Sequence, residues 1–272
     1  MPTVAQVREA VECRYPTALA ADWDAVGLVC GDPGAQVSTA LLAVDPDPRV
    51  IDEAVALGAQ MLIVHHPLLL RPVHGVAATD EKGRTIHRLI TSGIALLTAH
   101  TNADHADPGV SDALAAVLGL RDLRPLDPIT PGSSQGTGRI GVLPEPMTLA
   151  TFAGVVAAGL PATAHGVRVA GEADQQVRTV AVCGGAGDSL LGLTGQADAY
   201  VTADLRHHRA GEHRADGGCA LIDVAHWASE WPWLRQLQEF LAADLPDLRT
   251  VVSTVPTDPW DAWLPSGSEE PS

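Results

Sequence analysis

The chain has 272 residues, 46% of them hydrophobic and 18% charged, with a formal net charge of −16. This length suits one large domain or two modest ones, and the negative charge weighs against non-specific binding to nucleic acid or an anionic membrane. No apolar run reaches the length of a membrane span, the N-terminus does not read as a signal peptide, and the spacing of Cys13, Cys30, Cys183 and Cys219 fits reduced thiols in a cytoplasmic chain.

In chain order, Val4, Val7, Ala10 and Val11 predict a helix over 4–14. A glycine-rich turn region from Asp22 to Pro33 precedes a strand over 39–45 and a helix over 48–58, closed by Gly58. Met61-Leu-Ile-Val64 predicts a buried strand that runs into His65-His66-Pro67, where the proline blocks a helical continuation. A helix over 80–92 and a strand over 94–99 lead to His100-Thr-Asn-Ala-Asp104, and 107–119 reads as a helix. Strand and helix alternating at short spacing is the signature of an α/β layer with parallel pairing.

The Pro/Gly/Ser-rich residues 125–137 read as a joint between an N-terminal α/β lobe (1–124) and a C-terminal one (138–255). The second lobe repeats the rhythm: strands over 138–143, 177–183, 199–202 and 220–223, and helices over 148–159, 188–195, 205–215 and 227–243. Residues 256–272 read as a disordered tail. Cys183-Gly-Gly-Ala-Gly187 has the look of a phosphate-cradling loop, but it matches neither the dinucleotide nor the Walker spacing. A tight strand-to-helix turn is the better reading.

Adjacent strand side chains point to opposite faces, so His65 and His66 share a site only where the strand ends. In an open α/β sheet that carboxyl edge is where ligands bind. His226 and Glu230 share a face if their segment is helical. Taken singly, each of these residues also reads as a satisfied core histidine or a helix cap. Taken together, His65, His66, Asp104, His226 and Glu230 form a ligand set for borderline divalent metals.

The ordered motifs Trp23-Asp-Ala-Val-Gly27-Leu, Val64-His-His-Pro67, His100-Thr-Asn-Ala-Asp104, Gly138-Arg-Ile-Gly141, Cys183-Gly-Gly-Ala-Gly187, Thr202-Ala-Asp-Leu-Arg-His-His208 and Asp223-Val-Ala-His226-Trp-Ala-Ser-Glu230 are similar to those of a known family. The chain resembles the GTP cyclohydrolase 1 type 2 homologues, also described as Nif-three-like dinuclear metal-centre hexameric proteins. The resemblance extends from the first helix to Trp260. It implies two related α/β lobes with a dinuclear metal site between them, liganded at positions matching His65, His66, Asp104, His226 and Glu230. It also implies a homohexamer built as a trimer of dimers. The interval from Arg121 to Val177 is too short for the inserted domain of some members. Ala25 stands where the family usually has Asn, and Ala103 where a larger apolar residue is common. The motif over 202–208 departs from T-G-D-x-K-Y-H. None of these is a carried-over ligand, so the loss of the Asn amide bears on substrate placement.

Glu230 is assigned the bridge between two ions because a carboxylate has two oxygens and an imidazole offers metal one lone pair. These five side chains supply fewer bonds than two four-coordinate ions need, which leaves positions for water or substrate. Two divalent ions per chain are therefore expected, from among Zn, Mn, Fe, Co and Ni. A metal-bridging hydroxide would suit attack on a phosphate ester or a purine C8. Asp204 and His208 are candidates for orientation or proton transfer, while His100 reads as a brace of the 100–104 loop. The expected function is a metal-dependent hydrolase acting on an anionic small molecule, GTP by the family's name. The alternatives are a phosphoesterase for other phosphorylated metabolites and a metal-handling or regulatory hexamer.

Overall fold

The computed structural model describes residues 1–264. The chain begins with α1 (Val4–Arg14), β1 (Gly27–Cys30), β2 (Thr39–Ala43), α2 (Pro48–Ala56), β3 (Met61–Val64), α3 (Glu81–Thr91), β4 (Ala95–Thr98), α4 (Thr101–His105) and α5 (Val110–Val117). It continues with β5 (Arg121–Pro128), β6 (Gly136–Thr148), α6 (Leu149–Gly159), β7 (Val167–Ala170), β8 (Gln176–Ala186), β9 (Ala199–Ala203) and α7 (His207–Ala215). β10 (Ala220–Val224), α8 (His226–Asp244) and β11 (Arg249–Val252) close it.

Local chemistry sets the helix starts. Thr3 and Gln6 form a capping box on α1, Asp47 accepts from Arg49 N ahead of Pro48, and Asp80 accepts from Gly83 N. β2, β3 and β4 are apolar and buried along their whole length, as parallel strands covered on both faces must be.

Two mixed sheets result. The first has the order β1-β4-β3-β2-β11 and is parallel except for β1. The second has the order β5-β6-β8-β9-β10-β7 and is parallel only across β8, β9 and β10. One core lies between the first sheet and α2 and α3, built on Leu41, Ile51, Leu62 and Leu89. A second lies on the sheet's other face, where α1, α5 and α8 bring Val7, Val110, Trp233 and Leu237 against Leu42 and Ile63. A third joins α5 and α6 to the second sheet through Leu114, Phe152, Val180 and Val201. α5 and α8 thus form the layer between the sheets.

The α/β class and the paired sheets match expectation, and the boundaries differ in specific ways. Residues 125–137 are not a joint: β5 and β6 pair as antiparallel strands, with Asp127 opposite Thr137. β11 returns to the first sheet beside β2, so the chain does not divide cleanly at one point. Within the expected tail, Thr257 donates a hydrogen bond to Asp45 and is part of the folded body. Residues 265–272 of that tail lie outside the described residues. The expected helix over 188–195 is a 3-10 turn, Asp188–Leu193.

Candidate metal centre

The parallel register builds one wall of the site. Ala43, Val64 and Thr98 are paired across β2, β3 and β4, so Asp45, His66 and His100 fall at equivalent places two residues beyond the sheet. His65 lies one residue earlier and is buried. Asp104 follows on the short α4. The opposite wall belongs to α8, whose first residue is His226 and whose Glu230 lies one turn on, with a side chain only 4% exposed. Strand ends of the first sheet therefore face a helix start at the carboxyl edge of the second.

The donor atoms converge on Glu230. Its Oε1 is 3.0 Å from His226 Nε2 and 3.5 Å from His65 Nε2, and its Oε2 is 3.2 Å from His66 Nε2. His65 Nε2 is also 3.7 Å from Asp104 Oδ1, and the Nε2 atoms of His66 and His226 are 3.3 Å apart. The opposite ring nitrogens are all engaged: Nδ1 of His65 donates to Ala99 O (2.9 Å), that of His66 to Asp45 (2.7 Å) and that of His226 to Asp204 (2.7 Å). Asp204 has φ 57°, a left-handed conformation that Asp tolerates better than most residues, and this directs its carboxylate at His226.

Counting protein charges alone, this cluster calls for cations. Burial opposes protonation of His226, yet Glu230 and Asp204 outweigh it and push the imidazole up to about 10. His66 is likewise raised well above its usual value against burial, by Glu230 and Asp45. Burial would raise Glu230, but His66, His226 and His65 together hold it well below the ordinary carboxylate range. Asp104, where burial dominates, is raised. Protons on imidazoles supply the positive charge that a divalent ion would otherwise supply.

The residues fit a metal. His65, His66 and His100 form one group able to hold an ion, and His66, His226 and Glu230 another. Glu230 Oε2 is buried without a hydrogen-bond partner. The loop beside it is shaped to admit the carboxylate: a Cβ on Gly185 would sit 2.3 Å from Glu230 Oε1 and 3.0 Å from His226 Nε2. Cys183–Gly187 makes the tight turn, Gly187 being the one residue between β8 and the 3-10 segment Asp188–Leu193. β8 runs as far as Ala186, and the glycines let its backbone pass against the cluster.

All five residues expected as ligands are brought together, and Asp204 supports His226. His208 is not part of the site: it is exposed at the start of α7 with its ring against His207, and His207 in turn borders a separate cleft with Arg168. His100 braces its loop through Asp24, which its ring shares with Thr101 N and the Thr101 hydroxyl, and Asn102 adds to this by accepting from His100 N and donating to Tyr15 O. Asp24 and Asp45 join the site without having been expected there, although each is a carboxylate close to a polar strand end. A cleft of about 290 Å³ opens over His66 and His226, bordered by Asp45, Asp204, Asp258 and Trp260.

Comparison with known proteins shows the family. Residues 2–259 match the family described as Duf34/NIF3 (NGG1p interacting factor 3). The chain belongs to the NIF3 family. A Streptomyces coelicolor protein named GTP cyclohydrolase 1 type 2 homolog is 51% identical over 274 residues, covering 98% of this chain and 96% of that one. A Mycobacterium leprae relative of the same name is 38% identical over 367 residues, covering 95% of each. That alignment is longer than the present chain, so the relative carries residues with no counterpart here. The crystal structure of a Bacillus cereus protein related to NIF3 superposes with a TM-score of 0.85 at 26% identity, covering 96% of this chain and 99% of that one. Among the described residues of this NIF3 chain, no helix is long and apolar enough to cross a membrane.

Proposed function

We propose that this NIF3 chain holds two divalent cations with His65, His66, Asp104, His226 and Glu230, and hydrolyses a small anionic substrate at that centre. The observation that carries the reading is Glu230: buried, approached by three imidazole Nε2 atoms, with one oxygen left without a hydrogen bond. Divalent cations at such a centre acidify water and stabilise negative charge developing on a phosphoryl or ring oxygen. The protein's own groups do the rest. Asp45 and Asp204 fix the tautomer and direction of His66 and His226. The cleft over those two rings admits substrate from one side, and Trp260 stands exposed at its rim. The relatives' name makes GTP the first substrate to try. The family resemblance further supports a homohexamer, a trimer of dimers, and the widely spaced cysteines support a cytoplasmic one.

Elemental analysis of untagged protein never exposed to chelator is expected to give two ions per chain. Glu230→Gln keeps the shape, removes the charge, and is expected to lower both occupancies with circular dichroism unchanged, whereas His65→Ala empties mainly one position. One ion or none in the wild type overturns the dinuclear reading. Formate release from GTP identifies cyclohydrolase chemistry, and phosphate release from other metabolites a phosphoesterase.

One observation favours metal handling instead: Asp45, Asp204 and Asp258 all border the cleft, and an acidic mouth admits cations more readily than anions. Transfer of metal to an apo-acceptor, with no turnover in a metabolite screen, would select that function.

A further inference from the structure

Four neighbouring imidazoles share one arrangement, and only three of them belong to the donor set above. Like His65, His66 and His226, His100 has its Nδ1 held by an acceptor, here Asp24 Oδ1 at 2.9 Å. A ring with Nδ1–H so engaged presents its Nε2 lone pair, the form in which histidine binds metal. The His100 ring centre lies 5.1 Å from that of His65 and 5.6 Å from that of His66. One ligand atom from each of these three residues lies within 4.8 Å of the others.

Bracing through Asp24 uses the Nδ1 of His100 and leaves its Nε2 without a structural partner. The His100 side chain makes no cap hydrogen bond to α4. Asp24, whose side chain has no exposure, is fixed by further bonds from Ala25 N, Thr101 N and the Thr101 hydroxyl. Trp23 stands edge-on to the His100 ring at 5.9 Å. A rigid carboxylate therefore aims one imidazole into the centre, as Asp45 and Asp204 aim two others.

We propose that His100, placed by Asp24, is a further cation ligand that completes the position held by His65 and Asp104. The proposal rests on the dinuclear reading. His66 cannot serve two ions, because an imidazole presents one lone pair to metal. Its Nε2 lies beside Glu230 Oε2 and His226 Nε2, which assigns it to the His226 side. His65 then shares its position with Asp104, and Glu230 Oε1, 3.0 Å from His226 Nε2 and 3.5 Å from His65 Nε2, lies between the two sides. Adding His100 gives each cation two imidazoles and a share of Glu230.

The test is titration of EDTA-stripped full-length protein with Co(II), followed by visible absorption and by competition with a chelator. Wild type is expected to take up two ions. His100→Ala is expected to weaken one uptake step by about tenfold or more, His65→Ala is expected to weaken the same step, and added imidazole is expected to restore it in His100→Ala. Asp24→Asn, which leaves the ring in place with a poorer acceptor, is expected to weaken that step less. Two wild-type steps in folded His100→Ala overturn the proposal and leave the dinuclear reading standing. A wild type that binds no ion overturns both. If His100→Ala does not fold, Asp24→Asn decides: uptake indistinguishable from wild type overturns the proposal.

Discussion

Gly185 offers a way to perturb the centre without replacing a ligand. It has φ +69°, and a Cβ there would lie 2.3 Å from Glu230 Oε1, where ordinary contact begins at 3.4 Å. Glu230 would have to retreat by about 1 Å, well beyond the ~0.2 Å tolerance of a metal–ligand bond. The left-handed backbone adds about 1–2 kcal/mol of strain for a residue with a side chain. Gly185→Ala is therefore expected to lose metal affinity by about tenfold or more, in the range seen when support for a ligand is removed. Gly58→Ala is the control, because Gly58 has φ +62° with nothing within 4 Å of the added Cβ. It carries the same backbone strain and none of the displacement. Metal content and chelator competition would be measured on both variants, with thermal unfolding to register the strain. Wild-type affinity in Gly185→Ala refutes the reasoning, as does equal loss in Gly58→Ala, since strain alone would then explain the effect.

Buried Arg139 binds Asp112 at 2.8 Å and donates to the carbonyls of Gly136, Gly138 and Ala106, so Asp112→Ala should cost about 3–5 kcal/mol by stranding a buried charge. Urea unfolding would show this, the double variant Asp112→Ala/Arg139→Met should recover part of it, and a neutral single variant would contradict the assignment. Burial pushes Tyr15 and Cys183 each up to about 12, from ordinary values of 10.0 and 9.0. Folding thus favours their neutral forms. Their contribution is complete below pH 9 and is lost as pH rises toward 12, because over that range the two groups ionise in the unfolded chain alone. Urea midpoints should accordingly fall between pH 9 and 11, less steeply in Tyr15→Phe, and a flat profile would contradict this. Sedimentation should give a species about six times the 28.3 kDa chain mass, and a concentration-independent monomer would refute the hexamer.

The sequence carried the layer signals well where apolar runs were unbroken. β2, β3, β4, β9 and β10 are buried along their whole length, and no polar alternation blurs them. β7 is hard to read because it is a four-residue edge strand with an exposed pattern, and α4 because five residues are too few to show a helical period. The β5–β6 pair is hidden by its turn chemistry: a stretch of Pro, Gly and Ser marks a linker and a hairpin alike. The five expected ligands stand out because imidazoles and carboxylates directly beyond apolar runs are costly without partners. Asp45 and His100 have the same chemistry as His66, but their equivalence appears only once β2, β3 and β4 are in register. His208 misleads for the converse reason. It stands in a histidine-rich motif close in sequence to Asp204, yet α7 starts between them and turns it to solvent.

The centre and the fold depend on each other through α8. Glu230 and His226 occupy its first turns, while Trp233, a turn further on, is wholly buried against Tyr15 of the α1 end and against the His65 ring, 5.6 and 5.3 Å away. The helix that fills the core between the sheets therefore also sets how far Glu230 reaches toward the strand ends. A buried carboxylate cannot remain ionised without positive charge nearby. Here that charge must sit between an imidazole of α8 and two that follow β3, whether it is carried by protons or by metal. Neutralising Glu230 thus ties the strand ends of the first sheet to α8, so cation affinity and the packing of α8 report on the same free energy.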